Sequence, residues 1–245
     1  MKLSGKTALV TGAARRLGAK TAQTLHQNGA NIIIHYRGSA EAAEDLVARL
    51  NAVRPDSAVA LQADLLNLGE LRDLAAASAE AFDGLDILVN NASTFYPTPF
   101  GTITEAQWND LTGTNLKAPL FLSQACHAAL RERRGCIVNM IDIHARSPLE
   151  SYSLYSIAKA GKAMLTRALA QEMAPEVRVN GVAPGAILWP EDEAMDDAER
   201  QAILDQVPLG RTGTPQDIAD TVLFLVTSPY VNGQIIAVDG GRQLF

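Results

Sequence analysis

The stretch that decides the fold is TALVTGAARRLG, residues 7–18 of the 245-residue chain. Its first five residues are apolar or β-branched, as in a strand buried on both faces, and an alanine-rich helical segment follows. Gly12 permits a tight turn between strand and helix, and Gly18 allows the helix to pack closely on the strand. Backbone N–H groups and the dipole at such a helix start bind a pyrophosphate. The stretch therefore predicts a dinucleotide-binding turn.

The rest of the chain repeats this alternation of short apolar runs and helical segments, which is typical of parallel strands joined by crossover helices. The predicted strands are 7–11, 31–35, 57–61, 86–90, 136–140, 177–180 and 234–238. The predicted helices are 16–28, 40–53, 67–83, 105–133, 153–174 and 215–228. We therefore predict an α/β protein: a single-domain Rossmann fold over residues 1–245, with a doubly wound seven-stranded parallel sheet and helices on both faces.

One irregular segment fits neither pattern. From Pro184 to about Asp197 the chain contains Trp189, Pro190 and five acidic residues. Its length and composition predict a flap over a substrate site, spanning about residues 185–205, with an acidic solvated loop as the alternative.

Composition and charge argue against several classes of function. The net charge of −6 gives no electrostatic reason to expect nucleic acid or an anionic membrane as a partner. Cys126 and Cys136 lack C-x-x-C spacing, so we interpret them as buried thiols in a reducing compartment. No apolar run approaches the ~20 residues of a membrane span, the N-terminus lacks a signal-peptide pattern, and no two histidines have metal-ligand spacing. We expect a cytoplasmic protein without a metal site.

The end of the second predicted strand indicates which dinucleotide is bound. NAD-binding folds place an acid there for the ribose 2′-hydroxyl, but the sequence HYRGS at residues 35–39 is followed by its first acid only at Glu41. Arg37 and Ser39 suit a 2′-phosphate, so NADPH/NADP+ is the predicted cofactor; a solvated surface charge is the alternative for Arg37. Asp64, after the third strand, is predicted to accept from the adenine amino group, or else to cap a helix.

A tyrosine and a lysine four residues apart form the predicted chemical centre. Tyr155 and Lys159 share one face of the helix 153–174. The lysine is expected to lower the pKa of Tyr155 by its charge and to hold the nicotinamide ribose, so that the tyrosine delivers a proton as hydride arrives. Further motifs follow in a consistent order along the chain: Thr11-Gly12, Asn90-Asn91-Ala92, Asn115 and Pro184-Gly185.

Taken together over the whole chain, these motifs resemble those of the short-chain dehydrogenase/reductase superfamily. Asp142, thirteen residues before Tyr155, stands where that superfamily usually has a serine. Its N-N-A-G motif is replaced here by NNASTFYPTP at residues 90–99, and Arg16 occupies the place of the middle glycine in T-G-x-x-x-G-x-G. The aspartate and the NNASTFYPTP stretch, together with residues 12–18 and 35–37, are similar to the corresponding features of pteridine reductases.

The substitutions also make chemical sense. A serine hydroxyl suits a carbonyl oxygen that becomes an alkoxide, whereas a carboxyl group hydrogen-bonded to a tyrosine suits proton delivery to a ring nitrogen. Asp142 therefore favours C=N reduction. Phe95 is predicted to stack on a flat substrate ring opposite the nicotinamide, with Ser93 and Arg16 bonding the ring edge; ordinary core or lid packing is the alternative for Phe95.

The resemblance implies NADPH-dependent reduction of a pterin or folate, with biopterin or dihydrobiopterin reduced to tetrahydrobiopterin. It implies 4-pro-S hydride transfer, a proton relayed by Asp142 and Tyr155 to N8, and a second hydride to C6 with the N5 proton from water. Asn115 is expected to hold water or backbone for this relay, or to be a buried structural amide. The predicted catalytic residues are Asp142, Tyr155 and Lys159. The predicted substrate-binding residues are Arg16, Ser93, Phe95, Asp142 and Tyr155. The predicted cofactor-binding residues are Gly12, Arg16, Leu17, Tyr36, Arg37, Ser39, Asp64, Leu65, Asn91, Ala92, Ser93, Asn115, Lys159, Pro184 and Gly185.

Three other functions remain open at this point. The first is a dihydromonapterin or dihydrofolate reductase of the same family, the second a short-chain reductase acting on a ketone, and the third a non-catalytic NADP-sensing protein on the same scaffold. The resemblance also implies a homotetramer; the apolar faces of helices 105–133 and 153–174 are compatible with it and equally with an ordinary core.

Overall fold

Seven parallel strands form the centre of the protein in the computed structural model, which describes residues 3–187 and 196–244. The strands are β1 (Thr7–Val10), β2 (Asn31–Tyr36), β3 (Ala58–Gln62), β4 (Ile87–Asn90), β5 (Cys136–Met140), β6 (Arg178–Pro184) and β7 (Ile235–Val238). Their order in the sheet is β3-β2-β1-β4-β5-β6-β7, and every neighbouring pair is parallel. The predicted Rossmann fold is confirmed.

Both faces of the sheet are covered by apolar packing. Successive side chains of a strand point to opposite faces. Val10 of β1 accordingly joins one hydrophobic cluster, whereas Leu9 joins the other. Because the strands must be apolar on both faces, they appear in the sequence as continuous apolar runs, which is why their positions were predictable.

Eight α-helices are present in the described part of the chain. They are α1 (Arg16–Gln27), α2 (Ala40–Val53), α3 (Leu68–Glu80), α4 (Glu105–Thr112), α5 (Ala118–Glu132), α6 (Ser153–Glu172), α7 (Asp197–Leu204) and α8 (Pro215–Thr227). Side chains cap the starts of two of these helices. The Asn67 side chain accepts from the amides of Gly69 and Glu70 at the start of α3, and Thr214 forms a capping box with Asp217 at the start of α8.

The predicted single helix over residues 105–133 is wrong in its middle. A π-helical stretch, Gly113–Lys117, separates α4 from α5. Pro119 stands at the start of α5 and has no amide hydrogen for the carbonyl of Asn115, four residues earlier, so the regular α-helical bonding cannot continue there. The interruption lies next to the site, because Asn115 is within it.

Two other boundaries also differ from the sequence prediction. Strand β6 continues to Pro184 rather than ending at Asn180, because residues 178–182 pair with β5 and residues 181–184 pair with β7. Within the predicted flap, residues 188–195 lie outside the described residues. Helix α7, which follows them, was not predicted; it begins with a capping box between Asp196 and Glu199.

Further findings concern cysteines, metals and membranes. Cys126 and Cys136 are free and buried, and burial raises their thiol pKa to about 12 and about 11 respectively, as expected for inert packing residues. Across residues 3–187 and 196–244, no group of three or more His, Cys, Asp or Glu side chains is arranged to hold a metal ion. None of the helices described is both long enough and apolar enough to cross a membrane.

The sheet order places the functional site. Strand β1 is flanked by β2 on one side and β4 on the other, so the crossover direction reverses between β1 and β4. In open parallel sheets, ligands bind at the carboxyl ends of strands at this point. The residues that follow β1, β4 and β5 are those that carry the predicted motifs.

Candidate active site

The turn after β1 presents bare backbone to its surroundings. Gly12 has a φ of +60°, and a Cβ atom there would lie 3.0 Å from the Cα of Ala92. A Cβ at Gly18 would collide with the Gly12 carbonyl and lie 2.5 Å from Nδ2 of Asn91. Only glycine therefore fits at either position, as the sequence predicted.

Hydrogen bonds connect the turn to the segment that follows β4. The amides of Asn91 and Ala92 both donate to Oγ1 of Thr11, each at 2.9 Å. The Asn91 side chain donates to the carbonyls of Thr11 and Gly12, at 2.8 and 3.1 Å. The Thr-Gly and Asn-Asn-Ala motifs thus form one rigid unit.

Arg16 has a left-handed backbone, with a φ of +53°, where the superfamily pattern has its middle glycine. This conformation costs a non-glycine residue on the order of 1 kcal/mol. The side chain is exposed and lines both cavities described below. The replacement keeps the glycine-like turn and adds a guanidinium to it.

A buried histidine, His35, is hydrogen-bonded to the same turn. The Gly12 amide donates to Nδ1 of His35 at 3.1 Å, and Nε2 of His35 lies 3.1 Å from the Ala63 carbonyl. These partners require the neutral tautomer with its proton on Nε2. Burial, the largest cause, lowers the pKa of His35 below 6.5, although the Ala63 carbonyl and Asp64 oppose the shift.

A cavity of about 380 Å³, the glycine-turn cavity, opens beside this turn. Arg15, Arg16 and Arg37 line it, together with a single carboxylate, that of Asp64. The remaining predicted residues in its lining are Gly12, Leu17, Leu65, Asn91, Ala92 and Ser93. A glycine cradle with three guanidinium groups fits the phosphates and adenosine of a dinucleotide.

Six predicted cofactor residues lie outside this lining. Lys159, Pro184 and Gly185 line the second cavity described below, whereas Tyr36, Ser39 and Asn115 line neither cavity. Tyr36 is half-buried and packs against a hydrophobic cluster, and Ser39 is at the start of α2, where its side chain makes no capping hydrogen bond. Neither residue lines the glycine-turn cavity, whereas Arg37 between them does. Asp64 does not cap α3; its carboxylate accepts from the Leu66 amide at 3.0 Å, which orders the loop after β3. Asn115, the third residue that lines neither cavity, lies behind Ser93.

Asn115 is a fully buried amide. Its Nδ2 donates to the carbonyls of Thr94 and Leu111, at 2.9 and 3.0 Å, and its Oδ1 accepts from the Ser93 hydroxyl at 2.6 Å. These contacts with backbone and with Ser93 fit both roles predicted from the sequence. Asn115 holds the loop that carries Ser93 and Phe95.

A second cavity of about 490 Å³, the tyrosine cavity, adjoins the first; they share Arg16, Leu17, Asn91 and Ser93. It lies at the carboxyl ends of β5 and β6. The predicted residues in its lining are Arg16, Leu17, Asn91, Ser93, Phe95, Asp142, Tyr155, Lys159, Pro184 and Gly185. The structure thus brings the three predicted catalytic residues together at one wall.

Tyr155 and Asp142 are in direct contact. The tyrosine hydroxyl donates to Oδ2 of Asp142 at 2.7 Å, while Oδ1 accepts from the amide of His144. Burial, together with the negative charge of Asp142 and this hydrogen bond, raises the pKa of Tyr155 well above 10, and Ser93 only partly opposes the shift. The sequence predicted that Lys159 lowers this pKa, but the net shift is upward, and its causes are burial and Asp142 rather than the lysine.

Lys159 is buried behind the tyrosine. Its Nζ lies 5.3 Å from the centroid of the Tyr155 ring and 3.3 Å from the Met140 carbonyl. Burial lowers its pKa to about 8, although the charge of Asp142 opposes this shift.

An aromatic pair covers the cavity. The rings of Phe95 and Tyr152 stack with centroids 4.5 Å apart and an interplanar angle of 16°, and Phe95 also meets the Tyr155 ring edge-on at 4.8 Å. Phe95 is nevertheless 45% exposed, so part of the ring remains open to the cavity. This arrangement differs from ordinary core packing and suits contact with a flat ligand.

Several residues in the two cavities were missed from the sequence. Arg15 lines the glycine-turn cavity, and Tyr152 and Arg242 line the tyrosine cavity. Tyr152 precedes Tyr155 by about one helical turn, a spacing that could have revealed it. No local pattern indicates Arg242, because only the folded chain brings the segment after β7 to the site.

Comparison with known protein families identifies the class of this protein. A family model described as enoyl-(acyl carrier protein) reductase matches residues 12–243. The chain belongs to the short-chain dehydrogenase/reductase superfamily and is an oxidoreductase of that class.

Individual relatives divide between two activities. Pteridine reductase 1 from Leishmania tarentolae is 37% identical, with 97% of this chain and 96% of the relative covered. The 3-oxoacyl-(acyl-carrier-protein) reductase FabG from Staphylococcus aureus is 36% identical, with both chains covered completely. A 3-oxoacyl-(acyl-carrier-protein) reductase from Synechocystis is 33% identical, with 99% of each chain covered. Overall identity therefore does not separate a pterin substrate from a 3-oxoacyl substrate.

Proposed function

We propose that this protein reduces pterins, and folates of the same ring system, with NADPH as the hydride donor. The observation that carries the proposal is the 2.7 Å hydrogen bond between Tyr155 and the Asp142 carboxylate in the cavity partly covered by Phe95. A serine at this position would stabilise a developing alkoxide, whereas a carboxylate would oppose one. The pair suits protonation of a ring nitrogen instead.

The cofactor part of the proposal rests on charge. Arg37 directly follows β2, at the place where NAD-specific folds carry an acid. It lines the glycine-turn cavity with Arg15 and Arg16. Gly12, Gly18 and Asn91 would hold the pyrophosphate, and Lys159 the nicotinamide ribose. Bound NADPH supplies a hydride to the substrate carbon.

The chain's own residues supply the matching proton. Tyr155 is protonated at neutral pH, and its hydroxyl is the group in this cavity that is placed to give up a proton. Its O–H bond breaks as the ring nitrogen takes the proton, and Asp142, in contact with the hydroxyl, orients it and passes to the resulting tyrosinate a replacement proton taken from solvent water. Phe95 holds the flat ring against the cofactor, and Ser93 and Arg16 bond its edge.

A ketone substrate is the competing function, because two of the relatives above are 3-oxoacyl reductases. Against it stands Asp142, since a carboxylate in contact with the Tyr155 hydroxyl would repel the negative charge that develops on a ketone oxygen. The choice between dihydrobiopterin, dihydromonapterin and dihydrofolate depends on substrate tails, and we propose only the shared pterin ring.

Steady-state assays test the proposal directly. Purified protein should oxidise NADPH with dihydrobiopterin, dihydromonapterin or dihydrofolate, and should do so poorly with acetoacetyl-coenzyme A. Tyr155→Phe should abolish turnover but keep NADPH binding, which rules out a contaminating enzyme. A higher kcat/KM for the thioester would contradict the pterin assignment, and NADPH binding without turnover of any substrate would favour a sensing role.

We also propose that the protein forms a homotetramer, as the resemblance implies. Helices α5 and α6 carry the exposed apolar side chains Leu120, Ile157 and Met164. Such residues are common on monomer surfaces when isolated, but Ile157 and Met164 are seven residues apart on one helix face.

A further inference from the structure

The catalytic face of α6 does not end at Lys159. Tyr155, Lys159, Lys162 and Thr166 are spaced by four, three and four residues, so they share one face of the helix. Lys159 and Lys162 are the two largest fully buried side chains in the described part of the protein. Lysine is almost never fully buried unless it is paired, so Lys162 requires an explanation.

The surroundings of Lys162 are polar, and among residues 3–187 and 196–244 no carboxylate contributes to its pKa. Its Nζ donates to the Asn90 carbonyl at 2.8 Å. The Asn90 side chain donates to Asn139 at 2.9 Å and to Ser123 at 3.3 Å, and Asn139 donates to Thr166 at 2.9 Å. Strands β4 and β5 and helix α5 thus face Lys162 with neutral groups.

The charge that acts on Lys162 within the described chain is that of Lys159, on its own helix. Burial lowers the pKa of Lys162 well below 10.5, and the charge of Lys159 lowers it further. A core that only needed filling would be served better by an apolar side chain, because a buried amine is costly. The side chain is therefore retained for what it contacts.

Lys162 contacts the carboxyl end of β4, immediately before the residues that line both cavities. Asn90 is the last residue of β4, and Asn91 to Ser93 follow it. The segment is tied to the glycine turn through Thr11 on one side and to α6 through Lys162 on the other. Lys162 thereby connects the helix of Tyr155 to the loop of Ser93.

We propose that Lys162 is a positioning residue for hydride transfer: by holding the Asn90 carbonyl, it sets the depth of the Asn91–Ser93 segment relative to Tyr155 and Lys159. The inference does not depend on which substrate is reduced. Its test rests on the proposed binding of NADPH. The experiments below distinguish a failure of the Lys162 proposal from a failure of the cofactor assignment.

The test compares Lys162→Met with the wild type and with the exposed control Lys117→Met. Methionine fills similar space but cannot donate to Asn90. Because a displacement of about 1 Å can cost on the order of 100-fold in rate, kcat should fall by about 10–100-fold in Lys162→Met. Binding of 2′,5′-ADP should stay within about twofold of the wild type, because that fragment would occupy the Arg37 end of the site. Lys117→Met should behave as the wild type.

Hydrogen exchange supplies a readout that a merely structural role would not change. In Lys162→Met, peptides containing Asn91 and Ala92 should exchange faster while those of β2 and β3 remain protected. Unchanged kcat, or uniformly faster exchange across the sheet, would overturn the proposal. If Lys162→Met does not fold, Lys162→Gln decides: partial kcat supports the proposal, and wild-type kcat overturns it. A wild type that fails to bind 2′,5′-ADP contradicts the cofactor assignment instead.

Discussion

At the scale of single residues, the proposed function assigns to Asp142 the choice of the kind of bond that is reduced. Asp142→Ser restores the residue usual in the superfamily and removes the carboxylate that accepts from Tyr155 at 2.7 Å. Since a positioned proton relay contributes about 100- to 10,000-fold, kcat/KM for a dihydropterin should fall by about 100-fold or more. Turnover of acetoacetyl-coenzyme A should be maintained or increase. Parallel assays of both substrates check this, and an equal loss for both would contradict it.

At the same scale, we propose that Arg37 determines the preference for NADPH over NADH. It is exposed at the end of β2 and lines the glycine-turn cavity. Hydrogen bonds to charged groups contribute about 1.5–3 kcal/mol, so Arg37→Ala should raise the KM for NADPH by about 10- to 100-fold and leave that for NADH nearly unchanged. Arg49→Ala, an exposed arginine on α2, is the matched control and should alter neither. A parallel rise for both cofactors would argue against a 2′-phosphate contact.

At the scale of elements, His35 couples the glycine turn to the end of β3 through pH. Its folded pKa is lowered by burial, so the unfolded chain binds a proton more readily than the folded one. The free energy of unfolding should therefore fall as the pH drops below about 6.5. His35→Asn retains an acceptor for the Gly12 amide without titrating, and its unfolding free energy should depend less on pH between 7.5 and 5.5 in urea titrations.

His26 provides the control for this effect. It is also buried, it contacts Ser57 at 2.7 Å, and its pKa is lowered by burial and by Arg54. His26→Asn should likewise weaken the pH dependence of stability. Only His35→Asn should also weaken NADPH binding, because only His35 contacts the glycine turn. Equal effects of both variants on NADPH binding would contradict this assignment.

The buried Lys162 of α6 also makes the stability of the fold depend on pH. Lys162 has a lowered pKa in the folded protein, so its burial destabilises the fold below the unfolded pKa of about 10.4 and ceases to do so above it. The stability of Lys162→Met relative to the wild type should accordingly decline as the pH rises from 7 towards 10. Chemical denaturation at several pH values measures this; a constant difference would mean that Lys162 titrates normally.

At the scale of the whole molecule, the exposed face of α6 predicts assembly. Light scattering should give about four times the chain mass of 26.1 kDa. Met164, which is 60% exposed, lies on this face, and Met164→Glu should yield smaller species because it places an unpaired charge in the contact. Val53→Glu, at a 77% exposed position on α2, should leave the mass unchanged. A monomeric wild type would refute the tetramer.

Local patterns explain how much could be predicted. The strands were found because each is apolar on both faces, and the Tyr155–Lys159 pair because residues four apart on a helix are neighbours. The π-helical stretch at residues 113–117 is not evident from the sequence, because the surrounding helical pattern is strong and Pro119 is the one local signal against it. Lys162 shares the spacing of Tyr155 and Lys159, so its position was visible, but its burial was not.

The sequence by itself determined the doubly wound sheet, the glycine turn and the class of oxidoreductase, since each depends on residues adjacent in the chain or one helical turn apart. Only the tertiary structure decided that the pKa of Tyr155 is raised rather than lowered, that Phe95 stacks on Tyr152, and that Lys162 holds the end of β4. Desolvation and contact between distant segments set these properties, because both arise only when separate elements pack together.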